Sequence, residues 1–289
     1  MGAIWYNILM KFRTVILLSL LTVLFLWIGE ALGGRSGLIM AIIFAGAFNF
    51  LSYWYSDKIV LSLYRAKELS PEEAPEIHRI VEELAASAGI PKPKVYIVPQ
   101  QAPNAFATGR SPSHAAVAMT EGILQALDLR ELRGVLSHEL SHIKNRDTLV
   151  QTIAATLGAA ITFLARMAYF SRFFGFGGDD DANPLELLVL LILAPIAALL
   201  IQMAISRSRE YLADETGAKI SRDPMALASA LEKLHYFSQR IPMRGTPATS
   251  HLFIVAPRFS ASSLANLFAT HPPVEKRIER LRRLAGEIT

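Results

Sequence analysis

Four long apolar runs interrupt this chain, and they limit its fold more than any other feature of the sequence. They cover residues 15–32, 37–55, 149–165 and 185–205. A helix needs about 20 apolar residues to cross the hydrocarbon core of a bilayer, so the second and fourth runs fit a span well. The third run is short, and the first has a cleaved signal peptide as the alternative to a retained anchor. We interpret all four as spans, which makes the chain a mostly α integral membrane protein with four transmembrane helices.

Basic residues lie unevenly around these runs. Lysines and arginines are more frequent before the first and third runs, and after the second and fourth, than at the opposite ends. Cytoplasmic flanks of membrane helices carry this excess, so the pattern predicts a multi-pass protein of the cell membrane with both termini in the cytoplasm. We ascribe the net charge of +4 to these flanks and expect the lipid bilayer, and no nucleic acid, as a partner. The spans carry few charges, which argues against a transporter.

The apolar runs divide the chain into membrane and soluble segments. Residues 1–55 hold the first two predicted spans, residues 149–205 form a membrane hairpin, and residues 56–148 and 206–289 are soluble. Each soluble segment is small for a domain that is stable on its own. We therefore expect the two to pack together into one cytoplasmic α+β domain.

The first soluble segment contains signals for helices and short strands. A helix is predicted from Ser70 as N-cap, through Pro71, to Ala88, with Gly89 as its stop. Three β-rich stretches then predict a small antiparallel sheet. They cover residues 94–99, 104–109 and 115–120. No proline or glycine interrupts residues 135–157, so we expect the helix there to continue into the third span.

A five-residue motif, His138-Glu139-Leu140-Ser141-His142, lies inside this last helix. Histidines four positions apart stack on one face of a helix, where a single Zn²⁺ can bind both imidazoles. Glu139 points to another side, from which it can act as general base on a zinc-activated water. The motif therefore predicts the hydrolysis of a peptide bond. Because the chain has no cysteine, any further metal ligand must be a histidine or a carboxylate.

A third ligand is needed, because catalytic zinc sites use three protein ligands and keep one position open. The best candidate is Glu210, five residues after the fourth apolar run. Asp214 lies one turn further along the same helical face, where it can orient a ligating histidine. The alternative for Glu210 is a solvated acid paired with Arg207 or Arg209. With Glu210 as ligand, both halves of the site lie next to the cytoplasmic ends of predicted spans.

Four motifs resemble those of the HtpX family of membrane-bound zinc metalloproteases, relatives of the CaaX prenyl endopeptidases. They are Asn104-Ala105-Phe106-Ala107-Thr108-Gly109, the motif at His138, Arg209-Glu210-Tyr211-Leu212-Ala213-Asp214 and Thr270-His271-Pro272-Pro273. The hydrophobic layout is similar too, so the resemblance covers nearly the whole chain. It implies a zincin-like domain and one Zn²⁺ at His138, His142 and Glu210, with Glu139 as general base. It also implies proteolysis of damaged or misassembled membrane proteins, often under stress.

The resemblance further implies roles for residues outside the metal set. His271 and Arg277 match residues thought to stabilise the oxyanion of the tetrahedral intermediate, with packing or helix capping as the alternative for His271. Asn104 and the strand after it, which contains Phe106, are implied to border the active site. An extended substrate peptide would add to this strand at the sheet edge. The residues alone would make Asn104 a turn residue.

A rival function from another class is a membrane-embedded chaperone or scaffold that keeps a metal for structure. The ligand spacing does not exclude this function, because a structural site can use the same ligands. The sequence does not name the substrates, and it leaves open whether the chain forms a homo-oligomer.

Overall fold

The structure is a computed structural model that describes residues 2–157, 207–241, 252–255 and 272–288. The fourth predicted span, the second half of the third and His271 lie outside the described residues. Within them, the chain forms an N-terminal helical hairpin, a four-stranded sheet and a group of helices that shares a hydrophobic core with the sheet.

The N-terminal hairpin is a single long helix that folds back on itself. Helix α1, Gly2–Leu63, reverses at Gly34, where φ is 53° and ψ is −137°. Only glycine adopts this backbone conformation readily. The two limbs then pack side by side, with the rings of Phe25 and Phe44 edge to face and their centroids 5.0 Å apart.

The second limb of the hairpin is apolar on the outside. Gly34–Leu63 is the one helix within the described ranges that is long and apolar enough to cross a membrane. Its exposed side chains include Ile39, Ile43 and Phe50, followed by the exposed ring of Trp54. All four predicted spans stay predictions.

The sheet has four strands in the order β1-β2-β4-β3. They are β1, Lys67–Glu68, β2, Lys94–Val98, β3, Ala105–Ser111, and β4, His114–Thr120. β1 and β3 pair antiparallel with their neighbours, but β2 and β4 run parallel. The prediction of an antiparallel sheet is therefore wrong for the pairing of β2 with β4. A parallel pair needs a crossover connection, and here β3 supplies it by crossing to the edge before β4 returns beside β2.

Helix α2, Pro75–Ala88, begins later than predicted. Ser70 and Glu73 do make the reciprocal capping bonds, from Glu73 N to Ser70 Oγ and from Ser70 N to Glu73 Oε2. The turn goes no further, because a residue before proline is pushed out of the helical region, and Ala74 has a φ of −144°. The predicted stop is confirmed, since Gly89 is left-handed with a φ of 70°.

Helix α3, Glu121–Ala126, leads into α4, Leu129–Asn145, the helix that contains the His138 motif. The prediction that this helix runs unbroken into the third span is wrong. Arg146 is left-handed, with a φ of 59°, and a separate helix α5, Thr148–Leu157, follows. No glycine or proline marks this break.

Helices α6, Arg207–Ser221, α7, Pro224–Ser238, and α8, Val274–Ile288, complete the described elements. α4 lies in the middle of the domain, with Val135, Leu136, Leu140 and Ile143 fully buried. It contacts α2, α6, α7 and β3, and every residue from Gly134 to Ile143 is buried.

Glu131 connects α4 to α7. It completes a capping box with Asp128 at the start of α4, and it accepts hydrogen bonds from Ser229 Oγ and Lys233 Nζ, both at 2.7 Å. Burial favours the neutral carboxyl, but Lys233, Ser229 and the Asp128 backbone outweigh it and hold the pKa of Glu131 below its ordinary value.

Candidate metal centre

Both histidines of the motif are buried on one face of α4 and point to a common position. The two Nε2 atoms of His138 and His142 lie 3.2 Å apart. Each Nδ1 atom is turned the other way, toward a carboxylate. Because Nδ1 of each ring binds a carboxylate, Nε2 is the nitrogen of each ring that can bind a metal at the common position.

Glu210 supplies the third donor from α6, as predicted. Its carboxylate oxygens lie 3.8 Å from His138 Nε2 and 3.8 Å from His142 Nε2. The three donor atoms all lie within 4.8 Å of one another, and all three side chains are buried. A tetrahedral zinc site with bonds of about 2.0–2.1 Å has donors separated by about 3.3 Å, so this set fits such an ion after a small contraction. The donor types suit a catalytic metal, with one coordination position left for water.

Close packing between α4 and α6 brings Glu210 to the histidines. Gly217, two turns after Glu210 on α6, lies against the backbone of α4, and a Cβ there would be 2.9 Å from His138 N. Ser141 Oγ, from the middle of the motif, donates to the carbonyl oxygens of His138 and Ala213, at 2.6 and 3.0 Å. The small side chains at Gly217 and Ser141 therefore set the spacing of the two helices.

Asp214 lies beside His138, as predicted, and it is itself held by Arg277. Asp214 Oδ1 is 2.9 Å from His138 Nδ1. Arg277, from α8, donates through Nε and Nη2 to the two Asp214 oxygens, at 2.8 and 2.7 Å, and through Nη1 to the Ile254 carbonyl at 2.7 Å. Burial alone would raise the pKa of Asp214, but Arg277 and His138 outweigh it and lower that pKa.

Asp147 is a member of the site that the sequence analysis missed. Its carboxylate oxygens lie 3.0 and 3.2 Å from His142 Nδ1, and it is fully buried. Burial would lower the pKa of His142, but Asp147 and Glu210 raise it to about 10. The only signal in the sequence was an acid five residues after His142, a spacing that an unbroken helix would place on a different face.

Glu139 faces the sheet rather than the histidine pair. Its carboxylate accepts a hydrogen bond from the backbone N–H of Ala107 in β3. Burial raises the pKa of Glu139 to about 8, against an opposing effect of His142. The predicted general base thus lies between the metal donors and the edge strand.

The two predicted substrate residues occupy different environments. Asn104 is buried at the start of β3, and its Nδ2 donates to the Val255 carbonyl at 3.2 Å. The Phe106 ring packs edge to face against Phe253 in a cluster with Tyr64. This cluster lies apart from the core that Ala105 and Ala107 share with α4, so the Phe106 side chain points away from the metal donors. The substrate roles of Asn104 and Phe106 and the oxyanion roles of Arg277 and His271 stay predictions.

The family of the chain follows from comparison with known proteins. Residues 71–285, which include the three donors and both carboxylates beside the histidines, match the model of Peptidase family M48. The chain belongs to peptidase family M48. As an M48 protein it is a metalloprotease, a hydrolase of peptide bonds, and the buried group of His138, His142 and Glu210 can hold its metal.

Relatives of this M48 chain include proteins named Protease HtpX homolog, which confirms the family resemblance of the motifs. The relative from Desulfatibacillum aliphaticivorans is 57% identical over 275 residues, covering 94% of this chain and 88% of the relative. The relative from Pyrococcus furiosus is 58% identical over 279 residues, covering 96% of each. The crystal structure of S. mikatae Ste24p, 18% identical, matches 96% of this chain and 67% of that chain with a TM-score of 0.51. The M48 chain and Ste24p therefore share a fold.

Proposed function

We propose that this protein is a zinc-dependent membrane endopeptidase that cleaves misfolded or damaged membrane proteins on the cytoplasmic side of the cell membrane. In this role it serves membrane-protein quality control and the response to stress. The observation that carries the proposal is the buried set of His138, His142 and Glu210, with Glu139 beside it, in a chain that also contains the apolar helix Gly34–Leu63.

We assign zinc to this set because two imidazoles and one carboxylate are typical ligands of a catalytic zinc site. When bound there, zinc lowers the pKa of a water molecule towards about 7 and polarises the carbonyl of the scissile bond. Glu139 takes the proton from the attacking water and passes it to the leaving amine. Asp214 holds His138 in the ligating orientation, since it accepts a hydrogen bond from the opposite ring nitrogen.

In this proposal, the positive charge of Arg277 stabilises the oxyanion of the tetrahedral intermediate. Its guanidinium is buried, and its donors bind Asp214 and the Ile254 carbonyl. A fixed positive charge in a water-excluded site stabilises negative charge that develops nearby, even without a direct hydrogen bond. His271 would be the direct donor to the oxyanion.

We propose that substrate binds as an extra strand on the edge of β3 that does not pair with β4. Thr120 N donates to Asn104 O, so the alternation of an antiparallel ladder turns Phe106 toward β4 and Ala105 and Ala107 outward. The Ala107 N–H now binds Glu139 and the Ala105 N–H binds Asn104 Oδ1, at 3.1 Å. An extended peptide on this edge would take over these backbone donors. Because such bonds do not depend on side chains, the enzyme would accept many sequences.

A proline substitution tests the edge strand. Ala107→Pro removes an outward-facing N–H that also binds Glu139, and proline is tolerated at sheet edges. We therefore expect a raised KM together with a lower kcat in a folded protein. Phe106→Pro is the control, because it removes a bond within the sheet and should lower the melting temperature instead. An unchanged KM for Ala107→Pro would exclude strand addition.

The membrane arrangement in this proposal has four spans and one cytoplasmic domain. Residues 1–55 and 149–205 lie in the membrane, and residues 56–148 and 206–289 together form the catalytic domain. The exposed apolar surface of Gly34–Leu63 and the basic residues that follow it, Arg65 and Lys67, support this orientation.

The protease and the structural-metal scaffold are separated by one assay. The full chain, purified in detergent, is incubated with casein or with a solubilised membrane protein, with and without a zinc chelator. We expect the chelator to abolish cleavage, zinc to restore it, and Glu139→Gln to bind zinc but cleave nothing. Glu215→Gln, on the exposed side of α6, is the matched control and should cleave normally. Full activity of Glu139→Gln would refute its role, and chelator-resistant cleavage would refute the metal mechanism.

The proposed sidedness can be measured directly because the chain has no cysteine. Ser87→Cys places one thiol on the exposed surface of α2. A membrane-impermeant thiol reagent should label it in inverted vesicles and leave it unlabelled in right-side-out vesicles. The reverse labelling would contradict a cytoplasmic catalytic domain.

The quality-control role is tested by comparing cleavage products in cells. Proteomics of cells that express the intact protein or Glu139→Gln should show membrane-protein fragments only with the intact protein, and more of them after heat stress. Fragments derived only from folded soluble proteins would contradict this role.

A further inference from the structure

Asp147 occupies an unusual place between two helices. The chain turns at the left-handed Arg146, so Asp147 N donates back to the His142 carbonyl at 3.2 Å. The Asp147 carbonyl then accepts from Gln151 N and begins α5. Asp147 thus ends the turn that follows α4 and begins α5, the helix that contains the first half of the third apolar run.

The turn returns the Asp147 side chain to the level of His142. Both carboxylate oxygens lie within 3.2 Å of His142 Nδ1. A carboxylate only accepts hydrogen bonds, so Nδ1 keeps its proton and Nε2 is the ring nitrogen that faces the metal position. The bond also fixes the rotation of the imidazole ring.

The two histidines are supported in different ways. Asp214, beside His138, also forms an ion pair with Arg277. Within the described residues, no lysine or arginine lies at ion-pair distance from Asp147, which has only His142 as a side-chain partner. Both oxygens of the Asp147 carboxylate are therefore directed at His142.

We propose that Asp147 is a positioning residue that holds His142 in its ligating orientation and tautomer, and thereby joins the metal centre to α5. The inference rests on the proposed zinc site. Partners of this kind typically change metal affinity about 10–100-fold when they are removed.

The test measures zinc affinity by competition with a chelator, using the full chain in detergent. We expect Asp147→Ala to bind zinc about 10–100-fold more weakly than the unmodified protein. Asp147→Asn keeps an acceptor oxygen without the charge and should lie between the two. The d–d absorption spectrum of bound Co²⁺ should change in both variants, because it reports ligand geometry, which a loss of stability alone does not alter.

Asp223→Ala is the matched control, because Asp223 also precedes a helix and caps it, but it lies at the exposed end of α7 beside Arg130. It should lower the melting temperature without changing zinc affinity or the Co²⁺ spectrum. The Asn variant keeps the test decisive if Asp147→Ala does not fold. Zinc affinity within twofold of the unmodified protein, with an unchanged Co²⁺ spectrum, would overturn the inference. Failure of the unmodified protein to bind zinc would instead refute the proposed function.

Discussion

Gly217→Ala should weaken metal binding although it replaces no ligand side chain. The new Cβ would lie 2.9 Å from His138 N, 3.0 Å from His138 Cα and 3.1 Å from Ser137 C, against at least 3.4 Å for an ordinary contact. All three atoms belong to the backbone of α4, so no side chain can rotate away. α6 must therefore move from α4 by about 0.5 Å, a shift that a densely packed interior transmits. Glu210 is on α6 and both histidines are on α4, so the donor set widens by a similar distance.

The expected result follows from the narrow range of metal–ligand distances. Zinc bonds tolerate about 0.2 Å, so a 0.5 Å displacement should lower zinc affinity at least about tenfold. Overpacking costs about 1–3 kcal/mol, of which the better helix propensity of alanine offsets about 0.5–1 kcal/mol. The net loss of about 0–2.5 kcal/mol corresponds to a melting temperature up to about 10 °C lower. Chelator competition and thermal unfolding measure the two effects.

Gly286→Ala on α8 is the control, because a Cβ there meets nothing within 4 Å. It should leave zinc affinity unchanged and keep or slightly raise the melting temperature. If Gly217→Ala has the zinc affinity and melting temperature of the unmodified protein, helix spacing does not set the geometry of the metal centre.

Three further substitutions test the packing around the motif. Ser141→Ala removes the bond to the Ala213 carbonyl, and chemical denaturation should show a loss of about 1 kcal/mol; an unchanged unfolding midpoint would mean that the bond adds nothing. Gly134→Ala places a Cβ 2.6 Å from Leu227 N, and should cost about 1–3 kcal/mol on the same assay; unchanged stability would show that α7 can yield. The pKa of Glu131 is lowered on folding, so its contribution to stability is present above the unfolded pKa near 4.5 and is lost as pH falls through the lower folded value. Glu131→Gln should therefore lose less stability than the unmodified protein between pH 5 and pH 3 in denaturant titrations, and equal losses would contradict this.

Local patterns predicted the donor set well. His138 and His142 follow from helical spacing, and the i, i+4 relation of Glu210 and Asp214 on α6 placed one near the metal position and the other beside a ligand. These relations depend only on the geometry of a single helix, which the sequence specifies strongly.

Features set by tertiary structure were predicted less well. The parallel pairing of β2 and β4 depends on which strand crosses to the edge, and strand sequences do not encode that order. No glycine or proline marks the break at Arg146. The hydrogen bond between His142 and Asp147 offsets the cost of the left-handed backbone at Arg146. Asp147 could not be predicted as a partner of His142 without that break.

The surroundings of the metal centre are completed late in synthesis, because Arg277 lies near the C-terminal end of the sequence. His142 and Arg277 are about 135 residues apart, and Asp214 has its cation only once α8 has packed on α6. At about 5–20 residues per second, the ribosome needs about 7–27 s to add that stretch of chain. The motif on α4 is therefore synthesised long before the residues that complete its surroundings. During that interval the proposed metal centre lacks the ion pair between Asp214 and Arg277.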